Sequence, residues 1–274
     1  QLLSSAIEKY SNIFGVACGK KNVLFTNNDS AYETAISLFQ KGINIEAIID
    51  NREEVDSKLI KEIEKNNIKI YKGYTVVDTF GYKKINKISI MQLSKDGQKV
   101  VGSKISIDCD CLGMSGGWTP AVHLFTQSGG KLKFRDDDQV FIPDTYPSDQ
   151  ISIGSCNGEF TLDEILSGIS KKLKDFLNIK KTEYENLEIQ SHFNKTKRNI
   201  WLLPSDKIIG KTKPFVDYQN DATAKDIKLA LREGFRSIEH VKRYTTTGMG
   251  TDQGKLGNMH ALSLIHISEP TRRY

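Results

Sequence analysis

The clearest pattern of apolar and polar positions lies in the first fifty residues. Val23–Thr26 is apolar and precedes the polar run Asn27–Ser30. Ala31–Gln40 repeats apolar residues at helical spacing, and Ile45–Ile49 is a second, mostly apolar segment that closes on Asp50. The order strand, loop, helix, strand and acid is typical of a nucleotide-binding βαβ unit.

The loop of this unit lacks the glycines that usually cradle a diphosphate. Asn27, Asn28 and Ser30 stand where G-x-G-x-x-G is expected, so a diphosphate would approach the backbone less closely. Asp50 follows the first strand by about 24 residues, where an acid would bind the ribose hydroxyls of NAD. The pattern leaves open a βαβ unit that kept the fold and lost the ligand.

Further alternating segments follow. A helix is predicted at Val55–Asn66, a strand at Ile68–Tyr71, and turns at Gly81 and Asp96–Gly97. Three more strands are predicted, at Thr75–Asp78, Lys87–Gln92 and Lys104–Cys109. The Asp-Gly turn makes the last two a hairpin, and a meander after a βαβαβ core is the layout of the NAD-type domain in flavoproteins with two dinucleotide sites.

Two glycine-rich turns are candidates for ligand contact. Cys111–Gly117 predicts a strand end where Gly116 and Gly117 let a ligand or another strand approach, and Pro120 is placed to begin a helix. His123 is interpreted as a packed or surface histidine. The second candidate is the turn Gly154–Gly158, between a strand at Ile151–Ile153 and a helix at Thr161–Leu177 that has Thr161 and Glu164 as its capping box. Lys131–Phe141 is expected to be a connector with a solvated turn at Asp136–Asp138.

The C-terminal part predicts a small helical module. Thr223 and Asp226 form a capping box, Gly234 ends that helix, and Ser237 is placed to cap a second one. The polar, charged stretch Asn178–Asn199 before it indicates a linker or surface excursion.

A glycine- and threonine-rich loop follows the second helix. Lys242 and Arg243 provide cations, and Thr245 and Thr246 provide hydroxyls. Such a loop suits a phosphate or an acidic partner, and a tight turn of a helical module explains it equally well.

Composition narrows the class of protein. The chain has 274 residues, 38% of them hydrophobic, which is enough for about two domains. Of its 39 basic and 34 acidic side chains, residues 1–150 carry 19 of each, and the rest carry 20 and 15. This mild bias without a basic run argues against nucleic acid as a partner, and no apolar run is long enough for a membrane helix.

The cysteines and the chain ends add three expectations. The four cysteines are too scattered for a disulfide scaffold or a Cys-rich metal site, so reduced thiols in a cytoplasmic protein are expected, with Cys109 and Cys111 on one face of a strand. The chain opens without Met or a signal peptide, which predicts a fragment. Residues 263–274, SLIHISEPTRRY, fit nothing before them and are interpreted as a non-native tail.

Three motifs carry a resemblance to a known family. FVDYQND…EGF…EHVKRYTTTGMGTDQGK, SGGWTPAVHLFTQSGG and NNDSAYETA resemble the alpha subunits of heterotetrameric sarcosine oxidases, over nearly all of residues 1–262. The resemblance implies an α/β, flavoprotein-reductase-like two-dinucleotide-binding fold of the FAD/NAD(P)-binding type, followed by a small α-helical module. It divides the chain into a nucleotide-binding domain at 1–178 with an inserted βαβ unit at about 22–108, a linker at 179–213, and the module at 214–262.

The family resemblance also implies an activity. Sarcosine oxidase demethylates sarcosine to glycine with oxygen and makes hydrogen peroxide, and tetrahydrofolate captures the one-carbon unit. The amine is oxidised on the beta subunit, an FMN lies at the alpha–beta boundary, and the gamma and delta subunits complete the enzyme. The present chain would bind NAD and contact FMN, while folate would lie on a later domain and no catalytic residue would lie here.

Site residues follow from the same resemblance. The positions implied for NAD are Asn27, Asp29, Asp50, Arg52, Gly116, Gly117, Trp118, Gly154, Ser155 and Gly158. Ser155 and Cys156 stand where flavoprotein reductases usually carry an Asp, which favours NAD over FAD. Lys242, Arg243, Thr245 and Thr246 are expected to meet the FMN phosphate or the beta subunit.

The module resembles a second family, the small two-iron ferredoxin-like domains. The four cysteine positions of that family fall here on Asp217, Gln219, Asp252 and Gly257, so no cluster is expected. Two alternatives to an NAD-binding sarcosine oxidase segment stay open. One is a non-catalytic assembly module with a vestigial nucleotide site, and the other is a subunit of an opine or amine dehydrogenase.

Overall fold

The first half of the chain forms a five-stranded parallel sheet with its flanking helices. The computed structural model describes residues 1–55, 58–147, 149–178, 200–207, 212–255 and 257–268. The N-terminal elements are β1 (Leu2–Leu3), α1 (Ser4–Phe14), β2 (Asn22–Thr26), α2 (Ser30–Gln40), β3 (Ile45–Asp50), α3 (Lys58–Lys65) and β4 (Lys69–Lys72). After them come β5 (Tyr74–Gly81), β6 (Ile85–Leu93), β7 (Val100–Asp108) and β8 (Cys111–Ser115). The predicted strand, helix and strand between residues 22 and 50 are confirmed within one residue at each end.

The sheet order is β1-β8-β2-β3-β4, with all pairings parallel. The last of these strands in sequence, β8, lies between the first two, with Cys111 opposite Asn22 and Ser115 opposite Thr26. A core that includes Leu24, Leu38 and Ile48 fills the space between the sheet and its helices. Burial of these apolar side chains is the main favourable term for this layer.

β5, β6 and β7 form a separate three-stranded sheet, which confirms the predicted meander. Gly97 has φ of 72° in the turn between β6 and β7, and the Ser94 N–H donates to the Lys99 carbonyl across it. An Asp-Gly turn allows this positive φ without steric cost, so the predicted hairpin is confirmed.

Four predictions between residues 109 and 161 are wrong. Lys131–Phe141 is no simple connector, because β9 (Lys131–Arg135) and β10 (Val140–Thr145) form an antiparallel hairpin around the turn at Asp136–Asp138. Pro120 does not open the helix predicted there, because the short helix α4 (His123–Gln127) begins three residues later. Cys109 lies outside β7 and β8, so it and Cys111 do not share a strand.

Ile151–Ile153 is the fourth wrong prediction, because it pairs with no strand among the described residues. The turn after it is a 3₁₀ helix (Gly154–Asn157), and α5 (Leu162–Leu177) follows. Three apolar residues are too few to fix a strand when no partner edge is available. The predicted linker at 179–199 lies outside the described residues.

The C-terminal part is helical, as its capping signals predict. It contains β11 (Phe215–Asp217), β12 (Ala222–Thr223), α6 (Ala224–Arg232), α7 (Ile238–Thr245) and α8 (Asn258–Ser268). Thr223 and Asp226 form the complete capping box of α6, whereas Ser237 makes no side-chain cap on α7. Ile227, Val241 and Leu264 are buried in one core, and α8 runs into the segment interpreted as a tail.

Contacts divide the chain into two compact units. The first comprises the described parts of residues 1–92 and 103–199, and the second those of 93–102 and 200–274. The domain boundaries at 178, 213 and 262 stay predictions. No helix in the described ranges combines the length and apolar character needed to cross a bilayer.

Candidate functional site

The carboxyl ends of β2 and β8 carry a cluster of polar side chains in the first unit. The Asn28 Nδ2 donates to Asn27 Oδ1 (2.9 Å) and to the Ser115 carbonyl (3.1 Å), and Asn28 Oδ1 accepts from the N–H and hydroxyl of Ser30 (3.1 and 2.5 Å). Thr26 and Asn28 exchange two further bonds. Side-chain amides therefore shape the loop that glycines shape in the usual dinucleotide fingerprint.

The glycine-rich strand end lies beside this loop. Asn27 Nδ2 donates to the Gly116 carbonyl (3.2 Å), so the structure brings these two predicted residues together. A Cβ at Gly116 would meet nothing within 4 Å, and one at Gly117 would meet only Asn27 Oδ1 at 3.9 Å. The space above the two glycines is thus open to a ligand.

Trp118 extends this open surface. Its indole is 52% exposed, and Nε1 donates to the hydroxyl of Ser30, the first residue of α2, at 3.3 Å. An exposed aromatic face next to a helix amino terminus can take a planar or anionic group.

A buried charged network ties the end of β3 to the start of α2. Arg52 donates through Nη2 to Asp29 Oδ1 (2.8 Å) and to Asp50 Oδ2 (2.7 Å), and through Nε to Asp50 Oδ1 (3.1 Å). The Tyr32 hydroxyl also donates to Asp50 Oδ2 (2.9 Å). All four side chains are at least nine-tenths buried.

Electrostatics follow from this geometry. Burial raises the pKa of Tyr32, and the adjacent Asp50 carboxylate raises it further. Burial disfavours the Arg52 cation, but its hydrogen bonds and attraction to Asp50 and Asp29 outweigh that effect and raise its pKa. The Arg52 cation and the neutral Tyr32 phenol therefore persist at physiological pH.

This network bears directly on the role predicted for Asp50. Its carboxylate is 0% exposed, and both oxygens already accept hydrogen bonds from Arg52, one of them also from Tyr32. The conformation described here does not present Asp50 to a ribose. Sequence alone does not indicate Tyr32 as a partner, because an acid and a phenol 18 positions apart meet only through the packing of α2 on β3.

The end of β3 holds one further residue that sequence reasoning missed. Asn51 is buried, and its Oδ1 has no hydrogen-bond partner in the described part of the chain. A buried acceptor without a donor is uncommon in proteins, so Asn51 joins the candidate ligand contacts at this edge of the sheet.

The second glycine turn is held by two ionic residues that the sequence did not single out. Glu159 accepts from the Gly154 N–H (3.0 Å), from Asn157 Nδ2 (3.0 Å) and from Lys172 Nζ (2.6 Å). Arg135 Nη2 donates to the Gly158 carbonyl at 2.9 Å. Gly154 and Gly158 are therefore committed to internal contacts, whereas Ser155 between them is exposed.

In the second unit, one carboxylate organises the loop where the ferredoxin-like resemblance places a cluster. Asp217 accepts from the backbone N–H groups of Gln219 (2.8 Å), Asn220 (3.1 Å) and Gly248 (2.7 Å). Burial opposes the ionisation of Asp217, but these bonds outweigh it and lower its pKa. Gln219 Oε1 in turn accepts the Asp252 N–H at 3.3 Å, so two of the four positions that the resemblance assigns to cysteines contact each other.

In the loop predicted to bind phosphate, the threonine hydroxyls form hydrogen bonds within the protein. The Thr245 hydroxyl donates to the Val241 carbonyl (2.7 Å) and lies 2.8 Å from that of Thr247, while the Thr246 hydroxyl donates to the Thr245 carbonyl (2.6 Å). Lys242 and Arg243 make no ion pair within the described residues. Only these two cations of the predicted set are free to meet an anion.

The thiols and acids of the described ranges form no evident metal site. No group of three or more His, Cys, Asp or Glu side chains there could hold a metal ion. Burial raises the pKa of Cys109 and of Cys111 to about 11, so both are unreactive thiols at neutral pH.

Comparison with known proteins supports the predicted relationship. Residues 211–273 match the family model described as the sarcosine oxidase A3 domain. Over 96% of its length the chain is 30% identical to sarcosine oxidase subunit alpha of Rhizobium meliloti (strain 1021) and 29% identical to that of Corynebacterium sp. (strain P-1). It spans about a quarter of these relatives, 25% and 28% of their lengths.

A solved structure supports the fold. L-proline dehydrogenase from P. horikoshii matches 96% of this chain and 48% of its own chain, with a TM-score of 0.60 and 17% identity. At that identity the likeness concerns the fold alone, and the predicted α/β class is confirmed. The chain is thus similar in sequence to sarcosine oxidase alpha subunits along nearly its whole length.

Proposed function

We propose that this chain, as a segment related to sarcosine oxidase alpha subunits, is the nucleotide-binding part of an oxidoreductase that acts on a secondary amine. The observation that carries the proposal is the similarity over 96% of the chain to proteins of that name. The amine-oxidising centre, the beta, gamma and delta subunits and the tetrahydrofolate site are expectations from the family resemblance for the whole enzyme.

NAD is the cofactor we propose for the first unit, at the carboxyl edge of the parallel sheet. The open backbone of Gly116 and Gly117, the exposed face of Trp118 and the amino terminus of α2 fit a dinucleotide at this edge. Asp50 does not fit a direct ribose contact, so we assign it and Asp29 to holding Arg52. When bound, NAD supplies a hydride acceptor, and these residues bind and orient it.

The proposal is tested by the NAD content of the purified protein. Denaturation should release about one equivalent of NAD per chain, measured with an enzymatic NAD assay. Gly116→Ala should lower this content or weaken NAD binding about tenfold, because the added methyl group occupies the space assigned to the ligand. Its melting temperature should stay within about 2 °C of the parent, since Gly116 has no positive φ and no close neighbour.

A matched glycine gives the control. Gly102→Ala changes an exposed residue of β7, where an added Cβ would also meet nothing within 4 Å, and should leave NAD content unchanged. It should lose some stability, because Gly102 has φ of 76°. Absence of NAD from a folded preparation, together with no binding of added NAD, would rule the site out.

A second candidate is a non-catalytic assembly module with a vestigial site. The mutual saturation of Asp50, Arg52 and Tyr32 favours it, as do the asparagines that fill the glycine loop. A folded chain that binds no NAD but associates with its partner subunits would support this candidate.

We also propose that Lys242 and Arg243 contact an anionic neighbour, either the phosphate of an FMN at a subunit boundary or the partner subunit. Thr245 and Thr246 then shape the loop and leave contact to the two cations. Arg243→Ala should lower the flavin content or weaken the assembly of the complex, measured by absorbance and size-exclusion chromatography. Unchanged flavin content and assembly would refute this assignment.

A further inference from the structure

A cleft of about 520 Å³ opens at the amino ends of β2 and β8, in the first unit. Four of its lining residues are lysines, Lys20, Lys21, Lys84 and Lys87. Two aspartates, Asp108 and Asp110, also line it. The cleft therefore carries a surplus of positive charge.

The cleft lies at the other end of the strands from the proposed NAD site. Asn22 and Cys111 pair at the amino end of β2 and β8, and Thr26 and Ser115 at the carboxyl end. Five residues of extended strand span roughly 15 Å. A ligand in the cleft and a dinucleotide above Gly116 would therefore occupy separate places.

The backbone around the cleft is fixed. Asp110 accepts the N–H groups of Lys20 (3.1 Å) and Lys21 (2.8 Å), and its own N–H donates to the Lys21 carbonyl (3.0 Å). The Cys109 N–H donates to the Asn86 carbonyl (3.1 Å), which ties the start of β6 to the same wall. Loop 19–21 also packs tightly, because a Cβ on Gly19 would lie 2.5 Å from Asp110 Oδ1.

The same contacts leave the lysines available. Asp110 is satisfied by backbone donors, and no ion pair joins any of the four lysines to an acid within the described residues. Lys87 Nζ lies 4.9 Å from the centre of the Phe80 ring, a cation–π contact that limits where this ammonium group lies. Lys84 follows a tight turn in which a Cβ on Gly81 would lie 1.9 Å from the Lys84 carbonyl oxygen, so its backbone position is constrained.

We propose that this lysine cleft binds a phosphate group, carried either by a small phosphorylated molecule or by free phosphate. Lysine ammonium groups bind phosphate as point charges, and four lysines that line one cleft suit its multiple charge. The size of the cleft suits a small molecule that carries the phosphate. The proposal does not depend on NAD binding or on the amine-oxidising activity.

Binding of inorganic pyrophosphate to the purified chain, followed by isothermal titration calorimetry at low salt, tests the proposal. The double variant Lys84→Gln and Lys87→Gln should weaken binding roughly tenfold or more, because it removes two of the four cations. The matched control Lys61→Gln and Lys65→Gln removes the same charge from the exposed side of α3 and should leave the affinity unchanged. NAD content should be the same in all three proteins.

The source of the phosphate is read from a second titration. Tighter binding of ADP than of pyrophosphate, lost in the cleft variant, assigns the cleft to a nucleotide, and equal affinities assign it to free phosphate or a small ester. The absence of pyrophosphate binding at millimolar concentration would overturn the proposal. An equal loss in the control pair would also overturn it, since binding would then follow net charge alone.

Discussion

In both units, polar side chains at a place where a cofactor is expected bind to other groups of the protein. The two units differ in which groups they bind. In the first unit, the Arg52 cation joins two carboxylates from different elements, and Tyr32 completes the set. In the second unit, a single carboxylate, Asp217, collects backbone N–H groups from a turn and a distant loop. The difference predicts the effect of a substitution in each unit. Removing one partner leaves a buried, unpaired charge in the first unit, whereas in the second it leaves backbone N–H groups without their acceptor.

The largest effect is expected from breaking the first network. Arg52→Met leaves Asp29 and Asp50 buried without a cation, so the free energy of unfolding should fall by about 3–5 kcal/mol. Urea unfolding followed by far-UV circular dichroism measures it. Lys104→Met breaks the more exposed pair with Asp78 (3.2 Å) and should cost less than about 1 kcal/mol.

Equal losses in the two variants would contradict this difference. They would mean that the buried network contributes no more than a surface pair.

A smaller effect is expected at the carboxylate of the second unit. Asp217→Ala removes an acceptor of several hydrogen bonds and should cost about 2–3 kcal/mol in the same measurement. Its matched control is Asp252→Ala, in the loop that follows α7, whose side chain accepts one hydrogen bond among the described residues, from the Gly254 N–H at 3.2 Å. A loss as large in Asp252→Ala would show that the Asp217 contacts are not special.

The stabilisation that Asp217 provides should also depend on pH. The pKa of Asp217 is lowered in the folded chain, so its contribution is fully present above the unfolded carboxyl pKa of about 4. That contribution is lost as the pH falls from there through the lower folded value. Asp217→Asn should therefore lose less stability than the parent between about pH 4 and pH 2, and parallel pH curves would contradict this.

The smallest effects compare helix caps in the two units. Thr223→Ala breaks the capping box of α6, because it removes the hydroxyl that accepts the Asp226 N–H (3.4 Å) and donates to Asp226 Oδ2 (2.7 Å), and should cost about 1–2 kcal/mol. Thr161→Ala removes one cap bond from the Glu164 N–H (3.3 Å) and should cost about 0.5–1 kcal/mol. Thermal unfolding of the two variants gives the order, and a reversed order would show that tertiary contacts outweigh capping.

Local signals account for the elements that the sequence predicts well. Apolar periodicity and capping residues predict β2, α2, β3 and α6 correctly, because both signals depend only on residues close together in the sequence. The β9–β10 hairpin was missed although Lys131–Arg135 alternates charged and apolar residues, because Pro143 and the three consecutive aspartates at Asp136–Asp138 favour irregular structure over a strand. Its edges are defined by pairing, which one segment alone does not show.

Side-chain partners were the harder part of the site. The sequence placed Asp50 at the right end of the right strand, but its role depends on Arg52 and Tyr32, which reach it only in the folded chain. Glu159 and Arg135 were missed for the same reason, since each acts on a glycine turn through tertiary contact. Residue type predicts which interactions a side chain can make, and packing decides whether it makes them with a ligand or with a neighbouring residue.

The position of β8 in the sheet has a consequence for synthesis on the ribosome. β2 cannot pair on its β8 side until Cys111–Ser115 has been made, 89 residues after Asn22. At about 5–20 residues per second, an apolar strand edge waits several seconds for its neighbour. The nascent chain therefore depends on its own later sequence, or on a chaperone, to keep that edge from other chains.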